Sequence, residues 1–205
     1  MVPGLEAFFR IIARFAYLNV LWLLGIVAGL GVVGFFPATQ ALLAISKRWV
    51  KNDYSFPVAK TFIKLYKQSI WRANATGFLI LLVATILYVN YRVIQASGGL
   101  IPFPVVIAFI ILVLLVGSVS IMLFPLGTYA QDSLKTNVKT AIIFAFGRFH
   151  ITMLTALITW CMLYMSLAIP TLFLFFSGSV GSFLIMWFIE QALHKSESRA
   201  TTVLP

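Results

Sequence analysis

Acidic side chains are scarce in this sequence: Asp and Glu occur five times in 205 residues, as Glu6, Asp53, Asp132, Glu190 and Glu197. None lies in the central third of an apolar run, where ion-coupled transporters place the ionisable groups of their relays. Histidine occurs twice, as His150 and His194, too few for a three-histidine metal site and in no H-E-x-x-H context. The lone cysteine, Cys161, excludes an intramolecular disulfide and a thiolate metal cage. There is no glycine-rich phosphate loop and no G-x-G-x-x-G. The hydroxyls Ser118, Ser120, Thr152, Thr155 and Thr159 have no base nearby in sequence to activate them. This inventory argues against an enzyme and implies no metal or cofactor.

What fills the chain instead is apolar. Hydrophobic residues make up 61% and charged residues 10%, with a mean hydropathy of +1.03, whereas soluble domains carry about 25% charged residues. Runs free of Lys, Arg, Asp and Glu extend over 15–46, 73–91, 93–131 and 149–189, each at least as long as the roughly 17 to 25 residues of a spanning helix. The last run has 41 residues, too long for one helix across a hydrocarbon core of about 30 Å. It is expected to hold two helices, broken either at Pro170 or within Ser177–Ser182. The fold class is therefore an all-α membrane protein with five spans, arranged as two kinked hairpins plus a fifth span. One membrane domain is expected over 1–193, with a flexible tail over 194–205. Residues 5–17 suit either a short interfacial helix or an extension of the first span.

The net charge is +10. In a soluble chain this would suggest nucleic acid; here the excess of basic residues in cytoplasmic loops explains it more simply, and no nucleic-acid partner is implied. With the N-terminus outside, segments 47–72, 132–148 and the C-terminal tail place 12 of 15 Lys and Arg inside. The expectation is a cell-membrane protein with its C-terminus cytoplasmic.

Four local patterns stand out. Gly25 and Gly29 form a G-x-x-x-G pair, suited to close helix packing within the protein or against a partner helix, a second copy included. Pro37 is expected to bend or restart the helix arriving from Leu18, with Thr39 and Gln40 placed to bond the carbonyls that the kink frees. Pro125 repeats the Phe-Pro pattern at the end of the third span. Lys60, Lys64, Lys67 and Trp71 fall on one narrow stripe at 100° per residue, with Phe62, Ile63, Leu65 and Tyr66 assigned to the other side. This amphipathic segment suits anionic headgroups or the surface of another protein. A second amphipathic segment lies within 132–148. Lys60-Thr61 and Lys139-Thr140 follow Pro37 and Pro125 by 23 and 14 residues, an order compatible with a parallel repeat.

Asn19-Val-Leu-Trp22, the segment Gly31 to Leu42 containing Pro37-Ala38-Thr39, the Lys47-Arg48-Trp49 exit and Thr61-Phe62-Ile63 together resemble the YesL family. These are small multi-span membrane proteins of Gram-positive bacteria without an established activity. Phe36 departs from the family pattern, in which glycine often precedes the proline. The resemblance implies association with carbohydrate uptake, and hence a non-catalytic accessory subunit touching the permease of an importer powered by ATP hydrolysis (an ABC importer). The alternative function is a self-contained channel or carrier working as a homo-oligomer.

Overall fold

The computed structural model describes the backbone of residues 3–98, 101–129 and 133–202, with side chains placed for all of these except 3–5, 7 and 195–202. Asp132 and Gln131 lie outside the described residues. Among those described there is no strand. The helices are α1 (Pro3–Ala28), α2 (Val32–Val50), α3 (Val58–Ala96), α4 (Phe103–Gly127), α5 (Leu134–Gly147) and α6 (Phe149–Ala168). They are followed by a short α7 (Pro170–Leu172), a π-helical turn (Phe173–Ser177) and α8 (Gly178–Thr202). Five stretches are long and apolar enough to cross a membrane: Phe8–Ala28, Val58–Ala96, Phe103–Gly127, Phe149–Ala168 and Pro170–His194. The protein is a multi-pass, all-helical membrane protein.

The first reversal differs from the expectation. The chain turns at Leu30 (φ 58°) and Gly31 (φ 81°), six residues before Pro37, because only a left-handed pair of residues closes so tight a turn. Pro37 then lies buried inside α2, where it does not start a new helix. α2 runs back along α1: Trp22 meets Phe35, and Phe15 packs edge-on against Trp49 with centroids 5.4 Å apart. Arg14 consequently lies 5.1 Å over the Tyr54 ring. Arg14 and the Lys47–Tyr54 segment therefore share one end of the bundle, which replaces the expected N-terminus on the opposite side from them.

α2 is the centre of the molecule. Ten of its 19 residues are buried, among them Ala38, Ala41, Leu42, Ile45 and Trp49. Thr39, Gln40, Ser46, Lys47 and Arg48 dilute its hydropathy below that of a lipid-facing span, since a helix surrounded by protein does not need an apolar surface. Gly25 and Gly29 serve this packing. A Cβ on Gly25 would lie 3.2 Å from both Ala38 and the Phe62 ring, and one on Gly29 would overlap Gly34 and the Tyr66 hydroxyl. The glycine face is thus covered by α2 and α3.

α3 runs unbroken for 39 residues, about 58 Å at 1.5 Å per residue. The expected cytoplasmic amphipathic segment and the second span are one helix. The equivalent segment in the second half is a separate helix, α5, because Arg148 (φ −134°, ψ 50°) interrupts the run into α6. Pro125 sits in the last turn of α4 and is followed directly by its end.

The break in the long C-terminal run is at Ile169/Pro170. The Ser177–Ser182 patch is helical and forms a contact surface. Asn19, fully buried on α1, donates from Nδ2 to the carbonyls of Phe173 (2.9 Å) and Leu174 (2.8 Å), and its Oδ1 accepts from the Ser179 N–H (3.0 Å). A Cβ on Gly178 would lie 2.9 Å from Asn19 Oδ1 and 2.9 Å from the Trp22 ring. Below this, the Ser46 and Ser182 hydroxyls share a buried hydrogen bond of 2.7 Å. α8 extends to Thr202.

Phe36, the departure from the family pattern, is buried and stacks on Phe124 with centroids 5.8 Å apart. Its ring occupies the space where a side chain at Gly77 would stand.

Two stability predictions follow from this packing. Asn19→Ala removes three hydrogen bonds to backbone groups and should lower stability by about 3 kcal/mol, read from thermal unfolding in detergent, while Val20→Ala on the exposed neighbouring face should change it little. Gly77→Leu should be strongly destabilising on its own and largely rescued by Phe36→Ala, so that the two effects measured in a double-mutant cycle fail to add.

Candidate functional site

The ends of α2 and α4 meet the middle of α8 around a buried carboxylate. Glu190, next to the last apolar run, is buried. Its Oε1 accepts from the Tyr129 hydroxyl at 2.6 Å and pairs with Lys51 Nζ at 3.2 Å, and its Oε2 lies 3.7 Å from His194 Nε2. Lys47 Nζ sits 3.4 Å from the centroid of the Tyr129 ring and donates to the Thr128 carbonyl at 3.1 Å. A buried carboxylate is thus matched by lysines, and one lysine is held against an aromatic face.

The electrostatics follow from burial. Desolvation, aided by the Lys51 charge and opposed by Glu190, pushes the Lys47 ammonium down to about 8. Burial, then the hydrogen bond to Glu190 and its charge, push the Tyr129 phenol well above its ordinary value. Tyr129 therefore stays a hydrogen-bond donor at neutral pH.

Beside this cluster is a cavity of about 360 Å³ between α2, α3, the end of α4 and α5. Gln40, Arg72, Thr76, Thr128 and Asn137 are among its lining residues. Gly127 makes the chamber: a Cβ there would come within 3.2 Å of both Gln40 Nε2 and Asn137 Nδ2. Asn137 is nine-tenths buried; its Nδ2 donates to the Leu123 carbonyl at 3.1 Å, and its Oδ1 has no partner. Thr128 belongs to both cluster and cavity, since its carbonyl holds Lys47.

The sequence-derived candidates are distributed around this site. Gln40 lines the cavity, whereas Thr39 accepts from Trp22 Nε1 at 3.2 Å and braces α1 against α2. Pro37 and Pro125 are buried in their helices. Lys60, Lys64, Lys67 and Trp71 are all exposed on one face of α3, opposite buried Phe62. Ile63, assigned to the buried side, is exposed as well, because it stands only 60° from the stripe. Gly25 and Gly29 are internal. Among the described residues, no group of three or more His, Cys, Asp or Glu could hold a metal ion.

Sequence reasoning did not single out Asn137, Arg72 or the Lys47–Tyr129–Glu190 contact. Glu190 alone carried a signal, as an acid abutting an apolar run whose only charge partners must come from other helices.

The Lys47 shift gives a test by sign. Its folded value lies below the ordinary lysine value, so the unfolded chain binds more protons between about pH 8 and 10.5, and this group's contribution to stability rises with pH across that window. Acylation of Lys47, followed by peptide mass spectrometry, should reach half its plateau rate near pH 8. Glu190→Gln removes the contribution that raises Lys47 and should move that midpoint lower; an upward move would contradict the assignment.

Residues 15–91 match a family described as "Protein of unknown function, DUF624". The chain is 31% identical over 188 residues to "Uncharacterized protein YteU" of Bacillus subtilis (strain 168), covering 91% of this chain and 83% of YteU. It is 30% identical over 198 residues to "Uncharacterized protein YesL" of the same organism, covering 96% of this chain and 92% of YesL. Against "Uncharacterized protein YesV" identity is 27% over 206 residues. No solved structure matches the chain. The stretch that matches the family profile holds Asn19, Trp22, Pro37 and Thr39, residues that here join α1, α2 and the π-helical turn, and the chain belongs to this YesL-like DUF624 family of membrane proteins.

Proposed function

We propose that this protein is a non-catalytic accessory subunit of a carbohydrate importer powered by ATP hydrolysis, docked on the permease through the basic face of α3. The observation that carries this reading is the exposure of Trp71, 87% accessible on the same stripe as Lys60, Lys64 and Lys67. A large aromatic flanked by cations is the composition of an interface anchor, and it fits an acidic partner surface. The carbohydrate importer comes from the family resemblance. The protein sits in the cell membrane, with Arg14, the Lys47–Lys51 segment and the end of α8 on the cytoplasmic face, as the clustering of basic residues at one end favours.

A self-contained homo-oligomeric channel or carrier is the competing reading. Its assembly face at Gly25 and Gly29 is occupied by α2 and α3, which weighs against it.

The test is mild-detergent copurification of tagged protein from its native membrane, with mass spectrometry of what accompanies it. A permease should copurify with the parent chain. The triple variant Lys60→Glu, Lys64→Glu, Lys67→Glu should lose it by tenfold or more while remaining membrane-inserted and folded. Retention of the permease by that variant would overturn docking through α3. A partner-free homo-oligomer that transports solute in liposomes would replace the accessory role with the channel reading.

A further inference from the structure

Two carboxamides meet on the wall of the polar chamber. Gln40 comes from α2 and Asn137 from α5, and they converge over Gly127 at the end of α4: the point that a Cβ on Gly127 would take lies 3.2 Å from both amide nitrogens and 3.5 Å from Gln40 Oε1. Asn137 turns its Nδ2 to the Leu123 carbonyl at 3.1 Å, a partner that only accepts, and this orientation leaves Oδ1 as the end without a donor. Thr128 spends its hydroxyl proton on the Pro125 carbonyl at 2.8 Å and keeps its oxygen as an acceptor. Ala44 and Leu65, both half-buried, add apolar wall. Gln68, exposed on α3, also lines the chamber, which therefore reaches the surface of the protein.

We propose that this chamber binds one neutral, polyhydroxylated molecule the size of a monosaccharide. Its volume of about 360 Å³ falls at the lower end of small-molecule pockets, roughly 300–1,000 Å³, and far exceeds the share of one water, about 30 Å³. A hydroxyl both donates and accepts, so neighbouring hydroxyls on a ring match the two ends of one carboxamide. Such a ligand brings donors to Asn137 Oδ1 and Thr128 Oγ1 and an acceptor to Gln40 Nε2. A phosphate or carboxylate offers acceptors only and leaves those two oxygens without a donor. The C–H face of a ring covers Ala44 and Leu65. Because Gln40 and Asn137 share the ligand, its binding ties α2 to α5 across the end of α4. The site lies wholly within one chain, so its occupancy is independent of any permease.

Equilibrium dialysis of the purified full chain, in a detergent without a sugar headgroup, tests this with three neutral radiolabelled probes: D-glucose, D-xylose and myo-inositol. At least one should bind saturably in the millimolar range or tighter, at one molecule per chain. Gln40→Leu removes a donor and an acceptor from the wall and should weaken that binding by about tenfold or more. Gly127→Ala places a methyl group against both amides and should do the same; it serves if the leucine variant fails to fold, which thermal unfolding reports. Trp160→Leu, on the exposed face of α6, should leave affinity unchanged. Absence of saturable binding by all three probes would reduce the chamber to a water-filled gap and overturn the proposal. Binding that neither chamber variant weakens would place the ligand elsewhere and overturn it too. Tighter binding of D-glucose 6-phosphate or D-glucosamine than of D-glucose would overturn it in favour of a charged ligand.

Discussion

The arrangement of this bundle depends on one side chain amide. The π-helical turn at Phe173–Ser177 shifts the helical bonding pattern and leaves carbonyls and an N–H seeking partners in a setting with no water to supply them. Asn19 meets that need with three hydrogen bonds, which fixes the register of α1 against the entry to α8. Trp22, one turn further along α1, then reaches Thr39 on α2, and the Ser46–Ser182 bond closes the triangle between α2 and α8. Each contact is short and directional, which is how helices hold position where apolar burial alone gives little orientation.

Around that frame, chemistry is distributed unevenly. The outer parts of α3, α4 and α6 present Val, Ile, Leu and aromatic side chains outward, as helices bathed in lipid do. A charged cluster gathers instead where α2 and α4 end against α8. There Glu190 pairs with Lys51, and the adjoining chamber is lined by Arg72 together with amide and hydroxyl side chains. Thr128 couples the two, because one face of the residue borders the chamber while its carbonyl restrains Lys47.

Much of the architecture was legible in composition and run length: the helical membrane class, the five apolar spans and the exposure of the Lys60 to Trp71 stripe each follow from local pattern. α2 was not legible as a separate helix. Its polar residues lower its hydropathy, and the reversal that isolates it is carried by Leu30, a residue with no turn propensity, beside a glycine in a glycine-rich stretch. That single omission also misplaced Arg14 relative to Tyr54, since one extra pass exchanges the two ends. The chamber was only partly legible: Gln40, singled out beside Pro37, lines it, but Asn137 and Arg72 reach it through tertiary packing that no spacing announces.

The unbroken course of α3 has a mechanical consequence. A helix with no proline and no interruption at Arg72 transmits displacement along its axis as a stiff rod, whereas α5 and α6 are separate helices joined through the non-helical Arg148. Force applied at the basic face of α3 is therefore felt at Ala96, where the helix ends. The first half of the molecule therefore carries one continuous strut, and the second half a jointed one.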